Sequence, residues 1–350
     1  MTLQNNHPGQ ITKRIYRKAV LRPVDWIRKV QLQLRGSDQD QKIVIIGSPR
    51  SGTTWLFKIL NQLPRTGGLY EPLNPRWFPE VPRLGLSSRS YIPPGQQFSA
   101  EALGEYFERV FSGRVVSLQP HWPVSPAQTP AAFSRYLLQR IFSKNLVVKM
   151  VRATRLLPWL TENFPALDFI YILRHPCSVI ASQLQSQVSG YNSREDHYLD
   201  YLKVDRLLSR EQILVDAANL GIGRHTLERI KGESFSVAGL LALVWCLDNI
   251  VPQTYALPWQ QDQKSNNTKQ SWLTLHYEEL LMDYETQLER IEKYFSISPG
   301  VLQKQSQVMN RLRPQNPQHQ MQKWKNILTI EQIEEIFKIV AWFKIGVDNG

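Results

Sequence analysis

The chain has 350 residues, a net charge of +12, 42% apolar residues and 21% charged residues. That length and apolar content can bury a sizeable core, which excludes a disordered chain or a disulfide-stapled miniature. Two cysteines, Cys177 and Cys246, build neither a disulfide framework nor a zinc spacing, and they favour a reducing compartment. The positive charge calls for an anionic partner without choosing among a phosphorylated cofactor, an acidic glycan, nucleic acid and an anionic membrane.

Residues 1–40 read as a basic N-terminal extension, polar and disordered over Met1 to Gln10. From Ile11 to Arg35, the cations Lys13, Arg14, Arg17, Lys18, Arg22, Arg28, Lys29 and Arg35 alternate with apolar residues, and Pro23 divides the segment into two predicted helices. Such a segment packs on its own domain or lies on an anionic membrane surface. The longest apolar run, Val237 to Leu247, falls short of the roughly 20 residues of a membrane span. With no compact apolar segment of signal-peptide type at the N-terminus, the expected location is cytoplasmic, with peripheral membrane contact through residues 11–35 as the alternative.

The chain is organised around KIVIIGSPRSGTTWLFKILNQL, Lys42 to Leu63. Lys42 to Ile46 is a β-branched apolar run, predicting a buried strand. Gly47 to Gly52 is a turn, after which Trp55, Leu56, Ile59, Leu60 and Leu63 follow helical spacing. A strand, a glycine-bounded loop and a helix make a phosphate cradle, because N–H groups and the helix dipole converge at the helix start. A nucleotide triphosphatase loop reads GxxxxGK[ST]; here Thr53 and Thr54 follow Gly52, and the cation sits inside the loop at Arg50. The lysine that reaches β- and γ-phosphates is therefore missing, which disfavours a nucleotide kinase or NTPase.

Further along, Gly67 to Asn74 is a short strand or loop edge with Glu71 just before Pro72, and Pro75 to Gly95 is a long proline-rich loop that reads as an acceptor-side lid. Helices are predicted over Ser99 to Phe111 and Ala131 to Phe142, with a proline-rich connection from Pro120 to Pro130 between them. Leu146 to Met150 is a second strand, and a helix is predicted around Leu156 to Phe164. Asp168 to Leu173 is a third strand that runs through Arg174, His175 and Pro176 into a helix ending near Val188. A polar turn at Ser189 to Arg194 and a mixed helical pattern over Tyr198 to Leu220 precede a strongly apolar helix, Ser234 to Tyr255. Gln260 to Gln270 is a polar loop, Trp272 to His276 a fourth strand, and Tyr284 to Phe295 a helix. Met309 to Gln322 is a loop carrying Arg311 and Arg313, and Ile330 to Ala341 is a final amphipathic helix. Strands alternating with helices predict an α/β fold: one domain over residues 41–350, with a P-loop-like, mostly parallel sheet, helices on both faces and long loop insertions.

PRSGTTW resembles the 5′-phosphosulfate loop of sulfotransferases that use 3′-phosphoadenosine 5′-phosphosulfate (PAPS), and YILRHPCSVIAS resembles the same family's 3′-phosphate motif. The resemblance implies PAPS as co-substrate and no metal. Ser51, Gly52, Thr53 and Thr54 would offer N–H groups and hydroxyls to the 5′-phosphate and sulfate, Trp55 would stack on adenine, and Arg174 with Ser182 would hold the 3′-phosphate. Arg50 stands where soluble phenol and steroid sulfotransferases have lysine and carbohydrate and tyrosyl-protein sulfotransferases have arginine. Its implied role is to stabilise the departing phosphate. The soluble enzymes' histidine base is absent, since KMVRATRLLP has Val151 at that position. Glu71, in LYEPLN, matches the catalytic glutamate of the carbohydrate and tyrosyl-protein enzymes, and partial burial without pairing to Arg50 is the condition for it to act as a base. A carbohydrate or glycoconjugate acceptor follows from this resemblance, and nucleic acid does not. Trp324, Lys325 and Asn326 resemble a C-terminal WKN whose preceding Arg-Lys-Gly is missing, which leaves Arg311, Arg313 and Lys323 as substitutes. His175 reads as structural. The rival reading, from a different class, is a polyanion-binding protein without catalysis.

Overall fold

Ile43, Val44, Ile45 and Ile46 are all at most 1% exposed, because β1 (Lys42–Gly47) is the central strand of the sheet and is covered on both faces. The computed structural model describes residues 41–75, 78, 80–86, 89–95, 101–115, 142–188, 208–261, 272–308 and 316–346, with 26, 27 and 30. Among them are five parallel strands in the order β2-β3-β1-β4-β5: β2 (Thr66–Tyr70), β3 (Asn145–Met150), β4 (Asp168–Leu173) and β5 (Leu273–His276) join β1. The helices are α1 (Thr53–Leu60), α2 (Glu101–Phe111), α3 (Leu157–Asn163), α4 (Pro176–Val188), α5 (Arg210–Asn219), α6 (Arg224–Gly232), α7 (Val237–Gln261), α8 (Tyr277–Met282), α9 (Tyr284–Tyr294), α10 (Val301–Val308), α11 (Pro317–Gln322) and α12 (Ile330–Phe343).

Alternation along the strands separates two cores. Val44, Ile46, Val148, Met150, Phe169 and Tyr171 pack against α2, α3, α4, α7 and α12. Ile43, Ile45, Val147, Ile170 and Ile172 pack against α1, α8, α9 and α10. The helices therefore cover both faces, as an all-parallel sheet requires. Chain direction opens the sheet at one point. After β1 the chain turns towards β2, whereas after β4 it goes on to β5. The two connections leave in opposite directions, and a crevice lies between them at the carboxyl ends of β1 and β4.

α7 is the main buried post. Its stretch Val237–Tyr255 is long and apolar enough by composition to cross a bilayer, with a mean hydropathy of 1.4, yet 72% of its most apolar window is buried inside this domain. Its polar residues are used internally. Asp248 accepts from Nε of Arg155 at 3.0 Å, and Arg155 also reaches Asp216 on α5 at 3.0 Å and the carbonyl oxygen of Arg89 at 3.4 Å. This buried ionic knot ties the turn after β3 to α5, α7 and the segment after β2. Burying charges is costly unless each finds such partners.

One open reading is decided and two expectations need correction. Of the strand or loop edge read at Gly67 to Asn74, the first part is a strand within β2, paired from Thr66–Asn145 to Tyr70–Lys149. Its glycines weaken the signal, and Gly68 is there for close packing: a Cβ would lie 2.7 Å from both Phe57 Cζ on α1 and Asn61 Oδ1 just past its end. The described part of Pro75 to Gly95 is anchored rather than a free lid, since Phe78, Val81 and Leu86 are buried and a 3-10 turn spans Val81–Leu84. The predicted loop Met309 to Gln322 ends in helix α11, with Pro317 in its first turn and the Asn316 side chain accepting from the His319 N–H at 2.9 Å. The predicted Ala131 to Phe142 helix (apart from Phe142), the Pro120 to Pro130 connection, the Ser189 to Arg194 turn, the N-terminal extension apart from 26, 27 and 30, and Arg311 and Arg313 lie outside the described residues.

Gly68→Ala forces its methyl into α1 and is expected to destabilise the domain by about 1–3 kcal/mol, read as a lower urea midpoint with an unchanged slope.

Candidate active site

The loop between β1 and α1 is held open by its carbonyls. The Ser48 carbonyl accepts from the Ser51 N–H at 3.1 Å, Pro49's from Gln183 Nε2 at 3.3 Å and Arg50's from Arg174 at 2.8 Å. Arg50 and Gly52 have left-handed backbones, with φ of 76° and 90°. A side chain at Gly52 is also excluded by space, because its Cβ would lie 2.3 Å from the Tyr277 ring. The N–H groups of Gly52, Thr53 and Thr54 stand at the start of α1, where no preceding turn supplies carbonyls. One of the expected donors is already engaged. The Ser51 N–H closes the turn, so Ser51 offers its hydroxyl, which is fully buried and has no hydrogen-bond partner. Thr53, at the position of the nucleotide-triphosphatase lysine, is 2% exposed.

Arg50, Arg174 and Ser182 come together in the crevice. Arg50 Nε donates to Ser182 Oγ at 3.0 Å, so a serine eight residues beyond Arg174 returns to the loop two turns up α4. Arg174 lies over the Tyr277 ring at 4.3 Å, and its Nε has no partner. Burial depresses its guanidinium first, and Arg50 adds to this; Tyr277 and Glu278 oppose both effects. Among the described residues, neither arginine has a carboxylate within ion-pair distance. Glu278 is turned onto the His175 N–H at 3.1 Å. Two neighbouring cations, an unpartnered hydroxyl and a helix start make an anion site.

Glu71 occupies the other flank of the loop, at the end of β2. It is 3% exposed and itself has a left-handed backbone, φ 50°. Among the described residues Glu71 makes no ion pair with Arg50, its burial is nearly complete rather than partial, and two other cations hold the carboxylate. Lys149 Nζ sits 2.7 Å from Oε1 and Arg152 3.2 Å from Oε2, while the Val151 N–H donates at 3.2 Å and 3.3 Å to the two oxygens. Burial alone would depress the Lys149 ammonium, but Glu71 and Tyr70 outweigh it and its pKa is raised. Lys149 also donates to the Tyr70 hydroxyl at 3.1 Å, and that hydroxyl lies 3.3 Å from Thr54 Oγ1. The chain Thr54–Tyr70–Lys149–Glu71 thus joins the first turn of α1 to the acid. The partners of Glu71 escaped the sequence reading. Their one signal is a lysine inside the otherwise apolar strand LVVKM, in register with Tyr70.

Trp55 is half-buried, with its ring 5.4 Å from that of Tyr284. The WKN segment arrives beside α4: Trp324 is buried and stacks on His175 at 5.2 Å and 16°, and Ser178 donates to the Met321 carbonyl at 3.5 Å. Burial, then Arg174 and Lys325, push the His175 pKa down to about 4, in keeping with a structural ring. Lys323 and Lys325, on the 3-10 turn through Lys323–Asn326, flank that tryptophan at the surface.

A family model described as "Sulfotransferase family" matches residues 42–219, just over half of the chain. Solved structures similar to this chain include the sulfotransferase domain from the curacin biosynthetic pathway, with 16% identity and a TM-score of 0.43, covering 89% of this chain and 100% of that one. Mouse sulfotransferase SULT7A1 complexed with PAP shows 13% identity and a TM-score of 0.41, covering 89% and 87%. Sulfotransferase STF9 from Mycobacterium avium shows 14% identity and a TM-score of 0.41, covering 93% and 82%. No curated protein matches the chain significantly.

Inorganic sulfate or phosphate is expected to raise the thermal midpoint of the protein. Arg174→Met, which keeps the stem over Tyr277 and removes the charge, should abolish that gain in differential scanning fluorimetry.

Proposed function

The chain belongs to the sulfotransferase family, and on that premise we propose that it moves a sulfuryl group from PAPS to a hydroxyl or amine of a carbohydrate or glycoconjugate. The observation that carries the donor half is the pair Arg50 and Arg174, joined through the loop and without an acidic partner among the described residues. PAPS brings a sulfate, a 5′-phosphate and a 3′-phosphate. The orphaned Ser51 hydroxyl, the orphaned Arg174 Nε and the open start of α1 suit such a polyanion. Ser51, Gly52, Thr53 and Thr54 would hold the 5′-phosphosulfate, Arg174 and Ser182 the 3′-phosphate, and Trp55 the adenine.

In the transfer, the acceptor oxygen forms a bond to sulfur while the bond from sulfur to the bridging oxygen breaks. Adenosine 3′,5′-bisphosphate departs with the electron pair, and Arg50 stabilises the charge that gathers on it. The acceptor proton passes to Glu71. An ionised carboxylate offers about four acceptor sites. Lys149 and Arg152 engage one oxygen each and the Val151 N–H is shared between the two, so the acceptor hydroxyl would compete with that shared N–H for its place on the carboxylate. Lys149, kept cationic between Glu71 and Tyr70, stands between acid and cradle, where negative charge moves during transfer. The carbohydrate-type acceptor rests on Arg50 and Glu71 together, with Val151 in place of a histidine base.

Glu71→Gln tests the assignment. Adenosine 3′,5′-bisphosphate should bind as in the wild type by calorimetry, while transfer from labelled PAPS to a panel of glycan acceptors falls by about 100-fold or more. Unchanged turnover would remove Glu71 from the mechanism.

A further inference from the structure

Asn249 lies in the middle of α7, beyond the residues matched by the family model, and it is 0% exposed. A fully buried amide in an apolar helix is costly unless its hydrogen bonds are made. Its Nδ2 donates to the Trp245 carbonyl one turn back at 2.7 Å. Its Oδ1 accepts twice: from the Tyr171 hydroxyl on β4 at 2.8 Å and from Ser48 Oγ at 3.1 Å. Ser48 is the first residue of the loop after β1, and its carbonyl accepts the Ser51 N–H that closes the turn. The single oxygen of Asn249 therefore ties the helix post, the strand that delivers Arg174 and the root of the anion-binding loop.

We propose that Asn249 is a positioning residue for the donor loop, acting through Ser48, so that α7 sets the loop's grip on the donor. This rests on the reading of the loop as a PAPS cradle. It separates Asn249 from its neighbour Asp248, whose bonds run to Arg155 and on to α5, away from the loop. The two adjacent polar residues of one helix thus have different duties: Asp248 holds the domain together and Asn249 shapes the cradle.

The two duties dissociate in one experiment, titration of adenosine 3′,5′-bisphosphate into the full-length protein, with thermal midpoints measured in parallel. Ser48→Ala removes one buried hydrogen bond and should weaken binding by about fivefold. Asn249→Leu, close in shape, should weaken it by as much or more. The double variant should bind no more weakly than Asn249→Leu, because both substitutions remove the same bond. Asp248→Asn should lower the thermal midpoint yet leave the dissociation constant within twofold of wild type. If Asn249→Leu fails to fold, Ser48→Ala against Tyr171→Phe decides. Tyr171→Phe removes the other bond to the same oxygen and should leave donor affinity within twofold. The inference is overturned if the Ser48 and Asn249 effects add, if neither variant weakens binding, or if Asp248→Asn or Tyr171→Phe weakens it equally. A wild-type protein that does not bind the bisphosphate overturns instead the donor reading on which this one stands.

Discussion

Two guanidinium groups, Arg50 and Arg174, share one loop with no carboxylate in ion-pair range among the described residues, and like charges in a half-buried crevice repel. The surrounding structure restrains both. The Arg50 carbonyl takes a hydrogen bond from Arg174, the Ser182 hydroxyl takes one from Arg50, and the Tyr277 ring lies under Arg174. Those partners come from β4, α4 and the residue after β5, so the cation pair depends on the order in which the strands are laid down. With β1 central and β4 and β5 to one side, the ends of three elements meet where charge must be concentrated.

The two flanks of the loop differ in electrostatic character. On the β4 side, cations wait for an anion. On the β2 and β3 side, Glu71 is already satisfied by Lys149, Arg152 and a backbone N–H. A sulfuryl group leaving the first flank for an acceptor at the second would pass between fixed charges of opposite purpose. Fixed charges of this kind need no rearrangement as the reaction proceeds. The Thr54–Tyr70–Lys149 chain holds the spacing between the flanks.

What could be read in advance was whatever apolar pattern or motif spacing exposes. β1, β3 and β4 announce themselves as apolar runs with β-branched residues, β5 as a short apolar run, and Gly47 to Thr54 as a cradle, because those signals are local. β2 was half-hidden, since the glycines that let α1 approach it erase a strand's usual composition. Arg174 and Ser182 were legible through the resemblance of YILRHPCSVIAS to a family motif, and both reach the Arg50 residue, whose side chain bonds Ser182 and whose carbonyl bonds Arg174. The partners of Glu71 were not legible, because Lys149 and Arg152 meet it only through the pairing of β2 with β3, some eighty residues apart. Asn249 was least visible of all. It sits in a run so apolar that composition points only to a core helix.

The ring of Tyr277 fills the space that a side chain at residue 52 would need, and it also lies against Arg174. Residue 277 is made long after the loop it completes, and it follows the last strand to join the sheet. A chain emerging from the ribosome can pair β1, β3 and β4 well before that ring exists. The contacts of that ring with Gly52 and Arg174 therefore form only once the edge strand β5 has docked, which makes them late and very long-range contacts of the fold. A product that stops short of residue 277 would carry Gly47 to Thr54, Arg174 and Ser182 and still lack the ring that packs against them.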